Sequence, residues 1–224
     1  MKNVLLYTED EYLLTMRKHV DGLKARSNQA QYKYADREQS KIVAHFIGRA
    51  IQVGEAAYRI RDLEIPLDSI MRILSDDMIR LYWITESESN AAEFATNTKS
   101  QWLKLMIANL EKGNARIVHK PTGKTATAEF LPQIKAHVVK GKPIEQIAGQ
   151  CGLQKVYDMP FRFGSLSIHG NTFLPGMTDE VEPSAIKTLP AINAFLKVII
   201  QIVDEYPNRR LTPEEIEKML KLPA

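Results

Sequence analysis

The sequence predicts an all-α protein that folds as a helical bundle. Apolar residues recur three and four positions apart along most of the 224 residues, as they do on the buried face of an amphipathic helix. Helix-capping residues precede several of these runs, and no segment shows a comparably strong alternation of apolar and polar residues. One helical domain spanning residues 1–224 is therefore expected.

Four helical segments are predicted before residue 113. Each begins at a residue whose side chain can accept a hydrogen bond from the first turn, and these residues are Thr8, Asp36, Asp68 and Asn90. The predicted ends are near Arg26, before Pro66, near Glu86 and at Lys112. The apolar positions of the fourth segment include Trp102, Leu105, Met106 and Leu110.

Residues 113–142 are expected to form an irregular insertion or loop region. Glycine and proline interrupt the helical periodicity there, and lysines are frequent. We expect an exposed loop or a short hairpin over 114–127, followed by a modest helix over 129–139. Gly123-Lys124-Thr125 does not belong to a phosphate-binding P-loop, because that motif needs a glycine where the chain has Val118.

The second half of the chain returns to a helical pattern. A helix over 153–170 is expected to be kinked or restarted near Pro160, and a loop is expected over 171–183. Residues 184–206 are strongly apolar, so this helix is expected at the centre of the bundle. A C-terminal helical appendage over 207–224 should contain a short helix that begins at Thr212.

Charge and composition limit the class of protein. The net charge of +3 permits a nucleic-acid partner without requiring one. The single cysteine, Cys151, excludes an internal disulfide framework, and no zinc-type spacing of Cys and His occurs, so neither a metal nor a cofactor is expected. The apolar run at the N-terminus is too short for a signal peptide, and no run of about 18 apolar residues follows. A cytoplasmic protein without membrane association is expected.

The segment 161–169 offers the most compact chemistry in the sequence. In a helix, Arg162, Ser165 and His169 lie along one stripe, since seven residues return to within about 20° of the starting direction. A charged guanidinium beside an imidazole can bind a phosphate and move a proton. In the structural alternative His169 is a favourable cation at a helix C-terminus and Ser165 bonds back to its own helix.

Two further pairs of residues lie four apart on predicted helices. Arg72 and Asp76 form either an ordinary surface ion pair or a buried pair that orients a site. His45 and Arg49 form either part of a solvated helix face or a second half of an active site, with Glu38 and Glu55 nearby on the same helix.

These segments resemble a bacterial helical family known only as a domain of unknown function. In that family an Arg-x-x-x-acid helix precedes a Tyr/Phe-Arg-x-x-Ser-x-x-Val/Ile-His helix. The segments 72–76 and 161–169 match it, with Tyr157 shortly before the second. The spacing of Arg162 and His169 also resembles the motif of the HEPN superfamily, whose helical bundles are often metal-independent ribonucleases of toxin and phage-defence systems.

The HEPN resemblance implies an RNA- or nucleotide-binding protein, with cleavage of RNA as its candidate activity. Arg162 would hold the scissile phosphate and His169 would act as general acid or base, while RNA supplies its own 2′-hydroxyl as the nucleophile. Supporting or phosphate-binding roles would fall to Ser165, Tyr157, Arg72 and Asp76. Superfamily sites commonly form where two copies of the motif face each other, so the resemblance also implies a homodimer.

The competing hypothesis is a non-catalytic helical interaction protein, with an unidentified protein partner. Burial distinguishes the two hypotheses: an open cleft with Arg162 and His169 favours chemistry, whereas a buried Arg162 paired with Asp76 favours a structural role. A metal-dependent hydrolase is disfavoured, because no His, Asp and Glu residues have the spacing of metal ligands along the chain.

Overall fold

The predicted all-α class is confirmed. The computed structural model describes residues 8–33, 36–61, 64–158, 184–206 and 208–220. In this part of the chain the regular structure is helical, and the β-type pairing is one isolated bridge between Val118 and Thr125. None of the helices described is both long enough and apolar enough to cross a membrane.

The described residues form ten helices. In chain order they are α1 (Glu9–Ser27), α2 (Ala30–Lys33), α3 (Glu38–Arg59), α4 (Glu64–Ile84), α5 (Glu88–Glu111), α6 (Thr127–Ala136), α7 (Ile144–Gln150), α8 (Gln154–Val156), α9 (Ser184–Glu205) and α10 (Pro213–Leu220).

The core is built around α9, as the apolar character of this helix predicts. α9 packs against α1, α3 and α4, and its buried apolar residues are Leu189, Ile192, Phe195, Leu196, Val198, Ile199, Ile202 and Val203. The last turn of α4 is buried on every side, because its four consecutive residues 81–84 are each 2% exposed or less. Burial of these apolar residues removes a large apolar surface from water, which stabilises the fold.

Two of the predicted helix starts are confirmed in atomic detail. Thr8 accepts a hydrogen bond from the Glu11 backbone N–H at 3.3 Å, and its own N–H donates to the Glu11 carboxylate at 2.6 Å. The same reciprocal capping box joins Thr212 and Glu215, at 3.2 and 2.7 Å. Both boxes satisfy backbone donors that the first helical turn leaves free.

Other predicted boundaries are wrong by a few residues. α4 begins at Glu64, so Asp68 lies inside the helix instead of capping it. Pro66 is accommodated because the first turn of a helix does not need its N–H. Ser87, not Asn90, caps α5, since the Ser87 Oγ accepts from the Asn90 N–H at 3.1 Å. α2 lies between the first two predicted helical segments, where no helix was predicted.

The region 113–142 packs loosely on the bundle. Gly113 ends α5 with a φ of +72°, and the short hairpin predicted as one alternative is present around Gly123, whose φ is +67°. His119 N–H donates to the Lys124 carbonyl at 2.9 Å across this turn. α6 covers 127–136 where a helix over 129–139 was predicted, and it rests on α5 without burying any of its own residues.

The C-terminal segment is joined to the same core as the bundle. Leu211 and Ile216 are buried against it, and the Tyr82 hydroxyl donates to the Leu211 carbonyl at 2.6 Å. The Arg210 guanidinium lies 4.0 Å from the centre of the Tyr82 ring and bonds the Glu86 carboxylate at 2.9 Å. The predicted helix over 153–170 is described as far as residue 158, with α8 at its start, and the predicted loop over 171–183 lies outside the described residues.

Substituting Gly54 by Ala is expected to destabilise the protein. Alanine normally stabilises a helix by about 1 kcal/mol relative to glycine. At this position on α3, however, the added Cβ would lie 2.6 Å from Cγ2 of Val20 on α1. Val20 is buried and stiff, so the crowding should outweigh the helix propensity and lower the free energy of unfolding by about 1–3 kcal/mol.

Gly48→Ala, on the same helix, is the matched control, because no atom lies within 4 Å of its added Cβ. It should raise the free energy of unfolding by about 0.5–1 kcal/mol. Urea unfolding of both variants measures the difference. Equal stability of the two variants would show that α1 and α3 do not approach as closely as described.

Candidate functional site

The residues of the predicted catalytic motif, Arg162, Ser165 and His169, lie outside the described residues. Of the supporting residues, Tyr157, Arg72 and Asp76 are described. Tyr157 follows α8, is partly buried against the core, and donates its backbone N–H to the Leu153 carbonyl at 3.0 Å.

Asp76 is held by the next turn of its own helix. Its Oδ1 accepts a hydrogen bond from Nε of Arg80 at 2.6 Å, and each of the two side chains is about a third exposed, at 32% and 28%. Arg72, one turn earlier on α4, is half-buried. The Asp76–Arg80 pair is therefore a surface ion pair between residues four apart, of a kind that contributes about 0.3–0.5 kcal/mol.

Asp77 forms the more deeply buried ion pair. Its side chain is 6% exposed and accepts from Nε of Arg49 on α3 at 2.9 Å, so the pair joins α3 to α4. Burial raises the pKa of Asp77 to about 6, although the hydrogen bond from Arg49 lowers it. Arg49 is thus engaged in a helix-to-helix contact.

The other candidate residues of α3, namely His45, Glu55 and Glu38, do not converge on one site. Partial desolvation of the ring, and to a lesser extent the charge of Arg49, lowers the pKa of His45, which lies at an exposed position of α3. Glu55 bonds Lys24 of α1 at 2.7 Å. Arg49 and Glu55 therefore join α3 to its neighbouring helices, and Glu38 lies with His45 beside a groove at α5.

A strong charge asymmetry distinguishes residues 99–142, here named the basic arm. The basic arm has nine Lys and Arg residues against two Glu residues, a net charge of +7. The rest of the chain has 21 basic and 25 acidic residues, a net charge of −4. The total of +3 hides this separation, which a count of charge along the sequence would have found.

Most cations of the basic arm are available to a ligand. Lys135 bonds Glu111 at 2.6 Å and Lys142 bonds Glu93 at 2.7 Å. The other seven are exposed and have no carboxylate partner among the described residues; they are Lys99, Lys104, Lys112, Arg116, Lys120, Lys124 and Lys140. The basic arm therefore presents unneutralised positive charge to solvent.

A segment of the basic arm without regular secondary structure, residues 138–142, is here named the strap and runs antiparallel to α5. The Val139 N–H donates to the buried Ser100 Oγ at 3.0 Å. Gly141 lies against Asn97, where a Cβ would be 3.1 Å from the Asn97 Cγ, so only glycine fits without displacing that side chain. The ion pair of Lys142 with Glu93 continues the contact toward the start of α5.

A groove of about 700 Å³ opens beside α5 and the strap. Its volume lies within the usual ~300–1,000 Å³ of ligand sites. Apolar, amide and cationic side chains line it together, including Arg80, Phe94, Asn97, Gln101, Trp102 and Lys140. Through Arg80 the groove adjoins Asp76, one of the residues that the sequence assigned to a supporting role.

The sequence prediction missed the exposure of the outer face of α5. Three apolar positions of this helix are open to solvent: Trp102 is 69% exposed, Leu105 56% and Met106 39%. Leu110, by contrast, is buried as the helical pattern predicts. Trp102 lines the groove at the strap and also the neighbouring groove beside His45. A tryptophan so exposed, near cations that no described carboxylate pairs with, points to a surface that contacts something else.

Other chemistry is sparse in the described part of the chain. It contains no group of three or more His, Cys, Asp and Glu residues that could hold a metal ion. Cys151 is buried, and burial raises the pKa of its thiol to about 11. The thiol is therefore protonated at neutral pH and unsuited to attack as a thiolate.

The chain matches no protein-family model, and no curated protein or solved structure shows significant similarity to it. The HEPN resemblance consequently stays a prediction from the sequence motif.

The stability of the protein is expected to depend on pH through Asp77. A carboxyl with a folded pKa of about 6 and an ordinary value of 3.8 binds protons more readily in the native state. The stabilisation that results from this proton binding is fully present at low pH and is lost as the pH rises through 6. Acidification from pH 7 to pH 5 should therefore stabilise wild type by about 1 kcal/mol relative to Asp77→Asn.

Urea unfolding of the two proteins at pH 5, 6 and 7 measures this difference. All other titrations are shared and cancel in the comparison. A difference between the two proteins that stays constant from pH 5 to pH 7 would contradict the raised pKa.

Proposed function

We propose that the protein binds RNA through the basic arm. The observation that supports this is a net charge of +7 within 44 residues, with seven exposed cations unpaired among the described residues. A polyanion neutralises such a surface and gains further from the release of its condensed counterions. The expected cytoplasmic location and the homodimer implied by the HEPN resemblance belong to the same proposal.

The proposal includes metal-independent cleavage at Arg162 and His169, for which the support is the sequence motif alone. The 2′-oxygen would bond to the adjacent phosphorus while its proton passes to a base. The bond from phosphorus to the 5′-oxygen would break, and an acid would protonate that oxygen, which gives a 2′,3′-cyclic phosphate and a 5′-hydroxyl. His169 would make one of the two proton transfers, and Arg162 would stabilise the charge on the phosphate.

Removal of charge from the tip of the basic arm should weaken RNA binding and its salt dependence together. The test variant replaces three exposed arm lysines by alanine, namely Lys112, Lys120 and Lys124. For a single strand, log K decreases with log salt, and this slope should become shallower by about 2, since each lost phosphate contact contributes about 0.7. Fluorescence anisotropy of a labelled RNA, titrated at several salt concentrations, gives the slope.

The matched control removes the same charge from exposed positions outside the arm, namely Lys18, Lys197 and Lys218. This variant should bind RNA with nearly the wild-type slope. Equal weakening in both variants would mean that RNA responds only to net charge, and an absence of binding by wild type would remove the proposed function.

Cleavage is tested separately, with wild type, Arg162→Ala and His169→Ala incubated with RNA in EDTA. We expect cleavage by wild type alone, with cyclic phosphate ends, after circular dichroism confirms that both variants keep wild-type helicity and melting temperature. If wild type binds RNA but does not cleave it, or if all three cleave equally, the catalytic assignment is wrong. A non-catalytic protein that interacts through its helices, with RNA as a partner where binding is observed, is then the better description.

A further inference from the structure

We propose that the groove between α5 and the strap, lined by Trp102, holds an unpaired nucleobase, so that the RNA bound by this protein is single-stranded. This inference rests on the proposed function and adds to it the class of RNA and the residue that recognises the base. It is carried by side chains of the described residues outside the predicted Arg162–His169 motif.

Trp102 provides the surface on which a base can stack. Its side chain is 69% exposed, whereas the other tryptophan, Trp83, is 2% exposed in the core. Indole presents a broad flat face, and stacking on it tolerates any base, because every base has such a face. In a duplex the faces of the bases are covered by their neighbours, so the indole can reach them only in an unpaired strand.

Two amide side chains, those of Asn97 and Gln101, line the same groove as Trp102. Neither amide has a hydrogen-bond partner among the described residues, although Gly141 of the strap packs against Asn97. Each can both donate and accept a hydrogen bond, as the edges of the bases require. An aromatic face beside free amides is suited to a base and offers little to a simple inorganic anion.

One cation of the groove is free to bind the phosphate that accompanies the base. Arg80 is bonded to Asp76, and Lys142 is bonded to Glu93. Lys140 is exposed and has no carboxylate partner among the described residues. The arrangement therefore fits a stacked base with one adjacent phosphate, while the remaining cations of the basic arm can follow the strand beyond the groove.

A second copy of the chain is the other candidate occupant, since Leu105 and Met106 extend the apolar face. The charge of the surroundings favours RNA, because two such faces would bring together two arms of net charge +7. Self-association through this face would have to overcome that repulsion.

The test compares wild type with Trp102→Ala and Trp102→Phe in binding a labelled single-stranded 12-mer RNA and its 12-base-pair duplex. Single-stranded RNA should quench part of the wild-type tryptophan emission. The Trp102→Phe variant, in which Trp83 is the remaining tryptophan, should show no quenching and should keep most of the affinity. Trp102→Ala should bind the single strand about 10-fold more weakly. Leu14→Ala, at a 55% exposed position on α1, is the control for loss of an exposed apolar side chain and should bind as wild type does.

Four results would overturn the inference. If Trp102→Ala binds the single strand with wild-type affinity, and RNA leaves the wild-type tryptophan emission unchanged, the groove does not hold a base. RNA binding by the basic arm would still stand. If the duplex quenches the emission and binds as strongly as the single strand does, the protein does not select single-stranded RNA. Shielding of Trp102 from acrylamide in the RNA-free protein would show that a second copy covers it. An absence of any anisotropy change would remove the proposed function and this inference with it.

Discussion

The constraint on which the structure depends is that α9 and the last turn of α4 cannot face water. α9 buries apolar residues at 189, 192, 195, 196, 198, 199, 202 and 203, and residues 81–84 of α4 are buried consecutively. Helices that are apolar around most of their circumference must be covered on several sides, so α1, α3, α4 and α9 pack together. The apolar faces of α1 and α3 are used in this packing, and the described residues leave the outer face of α5 uncovered.

Two polar side chains that enter this core, those of Gln39 and Tyr32, pair with helix ends. The last carbonyls of a helix lack partners within it, and burial makes an unpaired carbonyl costly. The Gln39 amide donates to the carbonyl of Ile84, the final residue of α4, at 2.7 Å, and the Tyr32 hydroxyl donates to the Val203 carbonyl near the end of α9 at 3.0 Å. The Arg49–Asp77 pair differs from these two contacts, because it joins the interiors of α3 and α4 by an ion pair between side chains.

Local signals could be predicted from the sequence, and partnerships between distant residues could not. The capping boxes at Thr8 and Thr212 depend on residues three apart, so their pattern is visible in the chain. The burial of Asp77 depends on Arg49, 28 residues earlier, and has no local signature. Periodicity also placed Trp102 on the apolar stripe of α5, but it cannot show whether another helix exists to cover that stripe. For the motif of Arg162 and His169, the prediction is still the sequence pattern itself.

The basic arm is difficult to explain by stability. Seven cations that have no carboxylate partner among the described residues repel one another, and α6 buries none of its residues, so the arm contributes little apolar burial to offset that repulsion. Where a cluster of like charge works against stability and no structural reason for it is found, the reason is commonly functional. An uncharged or basic partner would leave the repulsion in place, and an acidic patch on a folded protein would neutralise only part of an arm that extends from α5 through the hairpin to the strap. A flexible polyanion can follow the whole arm, which is why RNA is the partner that these charges favour.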